Sequence, residues 1–195
     1  MAPAAAGRSG STLNQPIVRI AVSGHRQLDD VRRIGRGIKT ASARILMSFP
    51  NGRFLLYSCL AEGSDQLLAG SLIEALSAEL IAVMPLPEEE YVKDFLEAQS
   101  LDDFYRLKGL AVEVVNLEGR SVRPGAYQAA NEYLVEHCDA LVVIWDGLPA
   151  RGEGGTGDIV AMARQAGKGL LWIRTHPGLH KEPVTEERLA GKDSL

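Results

Sequence analysis

Three short glycine-bearing segments of this chain carry residue types suited to holding an anion, and each follows an apolar run. The richest is Gly152-Glu153-Gly154-Gly155-Thr156-Gly157. Glycines there leave backbone N–H groups open to a phosphate, and Thr156 adds a hydroxyl donor. The helix expected to follow brings its positive N-terminus to the same place. The spacing is not the dinucleotide fingerprint, which would follow the first strand. No Gly-Lys-Ser/Thr closes the loop, so nucleoside triphosphate hydrolysis has no support. A glycine turn without a ligand is the competing account.

The second segment is Ser23-Gly24-His25-Arg26, where Arg26 can pair bidentately with phosphate and His25 can donate a hydrogen bond. A solvated Arg26 and a turn-capping His25 are the alternative. The third is Ala61-Glu62-Gly63-Ser64-Asp65. Gly63 and Ser64 form either an anion nest or an ordinary helix cap. Glu62 and Asp65 suit ribose hydroxyls, or else complement a helix dipole. Asp146, directly after an apolar strand, either faces the ligand or caps the long 147–155 loop.

The expected phosphate contacts are therefore Gly24, His25, Arg26, Gly63, Ser64, Gly154, Gly155, Thr156 and Gly157. The expected ribose or base contacts are Glu62, Asp65, Asp146 and Asp158. No residue is assigned as catalytic. No metal or cofactor is expected, because His137, His176, His180, Cys59 and Cys138 lack ligand spacing. Tyr91, Asp94 and Phe95 can wall the base side of a pocket, although Tyr91 and Phe95 read first as core residues.

These segments need elements to hold them. Apolar runs at 17–23, 53–59, 79–84, 111–115, 140–145 and 169–173 predict strands. Helical spacing predicts helices over 28–48, 64–77, 88–97, 101–110, 127–137 and 158–166. Alternation of this kind implies a Rossmann-like three-layer α/β/α fold with a mainly parallel sheet of about six strands. The single domain is expected over 15–175. Residues 1–14 read as a disordered leader, and 176–195 as a loosely packed polar tail.

Bulk composition narrows the function classes. The chain has 195 residues, 46% of them hydrophobic and 24% charged, the profile of a globular domain. A net charge of −4 offers no electrostatic footprint for nucleic acid. No apolar run is long enough to span a membrane. Two isolated cysteines in apolar runs imply a reducing, cytoplasmic setting.

Taken in order, Ser23-Gly24-His25-Arg26, Leu60-Ala61-Glu62-Gly63-Ser64-Asp65, and Trp145-Asp146-Gly147 followed by Gly154-Gly155-Thr156-Gly157 resemble the SLOG superfamily (SMF/DprA–LOG) over roughly residues 17–174. The resemblance implies a Rossmann-like nucleotide-binding domain and a homodimer or higher oligomer. Its members include LOG-type phosphoribohydrolases, DNA-processing DprA proteins, and ligand-sensing domains of bacterial conflict systems and TRPM channels. LOG enzymes carry a glutamate three residues after the loop threonine, a position held here by Ile159. Asp158 sits one residue early, about 100° away around the helix. The LOG arginine–lysine pair is also unmatched, since Met84-Pro85-Leu86 stands at that strand end. The resemblance thus implies a sensor that binds a nucleotide, of a cyclic or ADP-ribose-related signalling kind. A nucleotide N-glycosidase using Asp158, Glu62 or Asp146 is the alternative. Single-stranded DNA binding in the DprA manner ranks third, because the chain is acidic and has no basic, aromatic stripe.

Overall fold

The computed structural model describes residues 15–117, 123–175 and 183–189. Its first unit shows why the chain alternates as it does. Strand β1 (Ile17–Gly24) sends Val18, Ile20 and Val22 to one face of the sheet and Ala21 to the other. Helix α1 (Val31–Ser48) returns Ile34, Ile38, Ala41 and Ile45 onto the first of those faces. Asp30 starts that helix, its Oδ1 accepting from the Arg33 N–H at 2.9 Å. Replacing Asp30 by alanine is expected to destabilise the protein by about 1 kcal/mol. An equilibrium denaturation series should show a lower midpoint with an unchanged slope.

The rhythm continues through β2 (Arg53–Ser58), α2 (Ser64–Leu76) and β3 (Glu79–Met84). A short helix α3 (Glu88–Tyr91), a 3₁₀ turn (Val92–Asp94) and α4 (Ala98–Lys108) lead to β4 (Glu113–Asn116). Then come α5 (Arg123–His137), β5 (Ala140–Trp145), α6 (Thr156–Gln165), β6 (Gly169–Arg174) and β7 (Val184–Glu187). The sheet order is β4-β3-β2-β1-β5-β6-β7. All pairs are parallel except β6 with β7.

Both faces of the sheet are covered, making three layers. One face packs on α1, α2 and α4 through Ile34, Leu68, Leu72, Phe104 and Leu107. The other packs on α5 and α6 through Ala130, Leu134, Ile159, Val160 and Ala163. Strand β5 is buried along its whole length, as a central strand covered on both faces must be. Cys59 and Cys138 are buried free thiols. No described helix is long and apolar enough to cross a membrane.

The six expected strands are all present, 79–84 and 140–145 with the expected bounds and the other four with ends shifted by one or two residues. The expected helix over 88–97 is instead α3 and the 3₁₀ turn, ending where Phe95 turns extended. Inside the segment expected to be a polar tail, Val184–Glu187 forms the antiparallel edge strand β7. Of the four residues of β7 only Val184 is buried, while Glu187 pairs with Arg164 and Arg174 bonds Thr185. One buried apolar residue in four leaves no period for sequence reading to detect. The expected leader, 1–14, lies outside the described residues.

Candidate functional site

The strand order fixes where a ligand can enter. From β1 the chain steps outward through β2 and β3 to β4, then crosses back to β5 beside β1 and steps the other way. The switch point lies between β1 and β5, and open α/β sheets bind ligands at the carboxyl ends of such strands. A cavity of about 430 Å³ opens there, lined by Ser23 to Arg26, Cys59, Ala61, Asp65, Tyr91, Tyr127, Asn131 and the 149–157 loop. Its volume falls in the range of small-molecule sites. A second hollow of about 570 Å³ shares His25, Arg26 and Arg151 with it and extends past Glu62, Leu96 and Thr175.

Loop-to-loop contacts explain two of the glycines. A Cβ on Gly24 would stand 2.5 Å from the Ile144 carbonyl and 2.6 Å from the Ser64 side chain. Gly63 has φ +87°, and a Cβ there would lie 2.1 Å from the Arg26 carbonyl. The loops after β1 and after β2 are thus clasped backbone to backbone. Ser64 completes the clasp: its N–H and its hydroxyl both donate to the His25 carbonyl, at 3.1 and 2.6 Å. Both donors of Ser64 are engaged inside the fold.

In the loop after β5, Gly154 and Gly157 likewise lie against backbone, of α5 and of residues 148–150 respectively. The Gly154 N–H donates to Asp158 Oδ2 at 3.0 Å, and its carbonyl accepts from Asn131 at 3.0 Å. The Gly155 N–H turns back to the Gly152 carbonyl. Thr156 and Gly157 are the first residues of α6, so their N–H groups have no intrahelical acceptor. Both residues line the cavity. The donors that this loop leaves open toward the cavity are therefore those of its last two residues.

Two arginines stand at the mouth. Arg26 is exposed and donates from Nη1 to the Asp94 carbonyl at 2.8 Å, which holds its guanidinium across the opening. Asp94 is itself held by Arg123 and the Tyr127 hydroxyl. Arg151, highly exposed, meets Asp146 Oδ2 at 3.2 Å. The Asp146 Oδ1 accepts from the Leu148 N–H at 2.9 Å, so this carboxylate also organises its own loop. His25 Nε2 lies 3.0 Å from the Asp146 backbone nitrogen and 3.1 Å from Asp146 Oδ1. Burial opposes the charge on Asp146, but the Leu148 N–H, His25 and Arg151 outweigh it and hold its pKa below the ordinary value.

The candidate carboxylates have unequal fates. Glu62 accepts from the N–H groups of Leu96 and Glu97, at 3.3 and 3.1 Å, and so anchors the start of α4. Asp158 holds Gly154, and Asp146 holds Leu148, His25 and Arg151. Asp65 is buried on the cavity floor among Arg26, Cys59 and Tyr91. Burial raises its pKa to about 7 against the Ala61 N–H and Arg26, which favour the charge. Burial also pushes the Cys59 thiol well up, so it is a poor nucleophile. Ile159, where LOG enzymes carry glutamate, is fully buried in the core.

Tyr91 is both core and wall: fully buried, it donates its hydroxyl to the Cys59 carbonyl at 3.0 Å and lines the cavity. Sequence reading missed Arg151, Arg123, Tyr127 and Asn131. Tyr127 and Asn131 are four apart on α5, a one-face signal, but nothing local said which face met the crevice. Among the described residues no cluster of His, Cys, Asp and Glu is arranged to hold a metal ion.

No family model matches the chain, and no curated protein matches it. Among solved structures the chain is similar to the Moco carrier protein from Chlamydomonas reinhardtii, at 16% identity and a TM-score of 0.45. That alignment covers 86% of this chain and 82% of the other.

Proposed function

We propose that this protein is a nucleotide-binding, ligand-sensing domain that receives the ligand's phosphates at the switch point between β1 and β5. The observation that carries the reading is one convergence: the open N–H groups of α6 and the guanidinium groups of Arg26 and Arg151 border the same 430 Å³ cavity. Backbone donors at a helix start and bidentate arginines are the two commonest means of holding phosphate. The likeness of the three loops to the SLOG superfamily supports a nucleotide, in this reading a signalling nucleotide of the cyclic or ADP-ribose-related kind that extends toward the adjoining hollow. Binding without cleavage is the favoured mode, because the three carboxylates suited to N-glycosidase chemistry are engaged with backbone N–H groups.

Titration calorimetry against adenosine monophosphate, ADP-ribose and a cyclic dinucleotide tests this directly. At least one is expected to bind with micromolar affinity and to survive incubation intact. Folded protein that binds none of them sinks the reading; release of free base would move the protein to the hydrolase class.

A further inference from the structure

We propose that Asp65 is the ribose-reading residue of this crevice, its carboxyl exchanging hydrogen bonds with a sugar hydroxyl of the bound nucleotide. The inference rests on the nucleotide-binding reading above and goes further, assigning recognition of the ligand beyond its phosphates. Its place in the site motivates it. Of the four carboxyl groups expected to contact ribose or base, Glu62, Asp146 and Asp158 each hold N–H groups of a loop or helix start at the rim. Asp65 lies 5% exposed on the floor of the cavity, in the first turn of α2. The Ala61 backbone is the donor that orients it.

The surroundings decide its form. Arg26 from the β1 loop favours the carboxylate, whereas Cys59 at the end of β2, Tyr91 on α3 and Asp94 on the 3₁₀ turn add no positive charge. His25 lines the same cavity. Removal from water outweighs the Ala61 N–H and Arg26, and the group holds its proton up to about pH 7. A protonated carboxyl both donates and accepts, as a sugar hydroxyl does. It also adds no negative charge beside a phosphate, which an ionised Asp65 would.

The consequence is that ligand binding carries a proton. A pyrophosphate diester such as ADP-ribose keeps a constant charge between pH 6 and 8, so any titration belongs to the protein. Linkage then predicts that its dissociation constant rises about tenfold from pH 6 to pH 8, as the free site loses the proton that the complex needs. An asparagine side chain keeps the shape and offers both a donor and an acceptor without titrating. Asp65→Asn should therefore bind within a few-fold of wild type at pH 6 and show a flat profile to pH 8. Asp65→Ala should bind more weakly at both.

A sloping wild-type profile that D65N flattens supports the assignment. A slope that survives in D65N assigns the proton to another group, such as the His25 ring, and overturns it. A flat wild-type profile with clear binding overturns it while leaving the nucleotide reading intact. Absence of binding by the whole panel at pH 6 removes both. A measurement without substitution makes an independent test: the carbon-13 carboxyl resonance of Asp65 should titrate near pH 7 in free protein and move to higher pH with saturating ADP-ribose. An unmoved midpoint overturns the proposal.

Discussion

Replacing Gly63 by alanine is expected to lower the melting temperature by roughly 10 °C and to abolish ligand binding. Gly63 has φ +87° and ψ −113°, a region open to glycine and closed to residues with a Cβ. The backbone strain alone is about 1–3 kcal/mol. The added methyl would also stand 2.1 Å from the Arg26 carbonyl, which is backbone and cannot rotate away. Forcing the two loops apart adds a further 1–3 kcal/mol or so. The same movement would break both Ser64 bonds to the His25 carbonyl and swing Arg26 out of the mouth. Gly35→Ala is the informative contrast. A Cβ at Gly35 meets nothing within 4 Å, and the position is inside α1. That substitution should stabilise by about 0.5–1 kcal/mol. Calorimetric melting of the three proteins side by side decides the matter; a Gly63→Ala protein that melts with wild type would mean the loop clasp is unimportant.

Arg26→Ala is expected to weaken binding of an anionic nucleotide on the order of 10–100-fold while leaving the melting temperature nearly unchanged. The two effects separate because of where the side chain lies. It is exposed, and its bond to the Asp94 carbonyl links surface segments without filling core space. Its remaining N–H groups border the cavity entrance, where a phosphate would meet a planar two-point donor. Arg26→Lys keeps the charge but loses that fork, so it should recover only part of the affinity. The wild-type affinity should also fall as salt is raised, and less steeply in Arg26→Ala. Calorimetry with ADP-ribose at two ionic strengths measures all of this. Equal affinity of wild type and Arg26→Ala would remove Arg26 from the site.

The candidate site was partly legible in the sequence. The reach of Asp158 back to Gly154 is a four-residue relation at a helix start, and a capping interpretation was within local reasoning. The capture of Leu96 and Glu97 by Glu62 was not, since it joins residues more than thirty positions apart. Ser64 makes the same point: its neighbours in sequence describe a helix cap, whereas its hydroxyl bonds a carbonyl 39 residues away. Arg151 stood in plain view before Gly152, but its value depends on Asp146 and on the cavity border that the fold creates.

By itself the sequence determined the alternation of six apolar runs with amphipathic helices, and with it an α/β/α sandwich whose three polar loops lie at strand ends. That much follows from local periodicity and from the burial that each period demands. The tertiary structure alone decided the strand order, and so the placing of the switch point between β1 and β5. It also decided which glycines serve chain-to-chain contact, which carboxylates are caps, and that Asp65 rests buried on the crevice floor. Those outcomes come from close approach and desolvation between segments distant in the chain, and neither is encoded in any local window of residues.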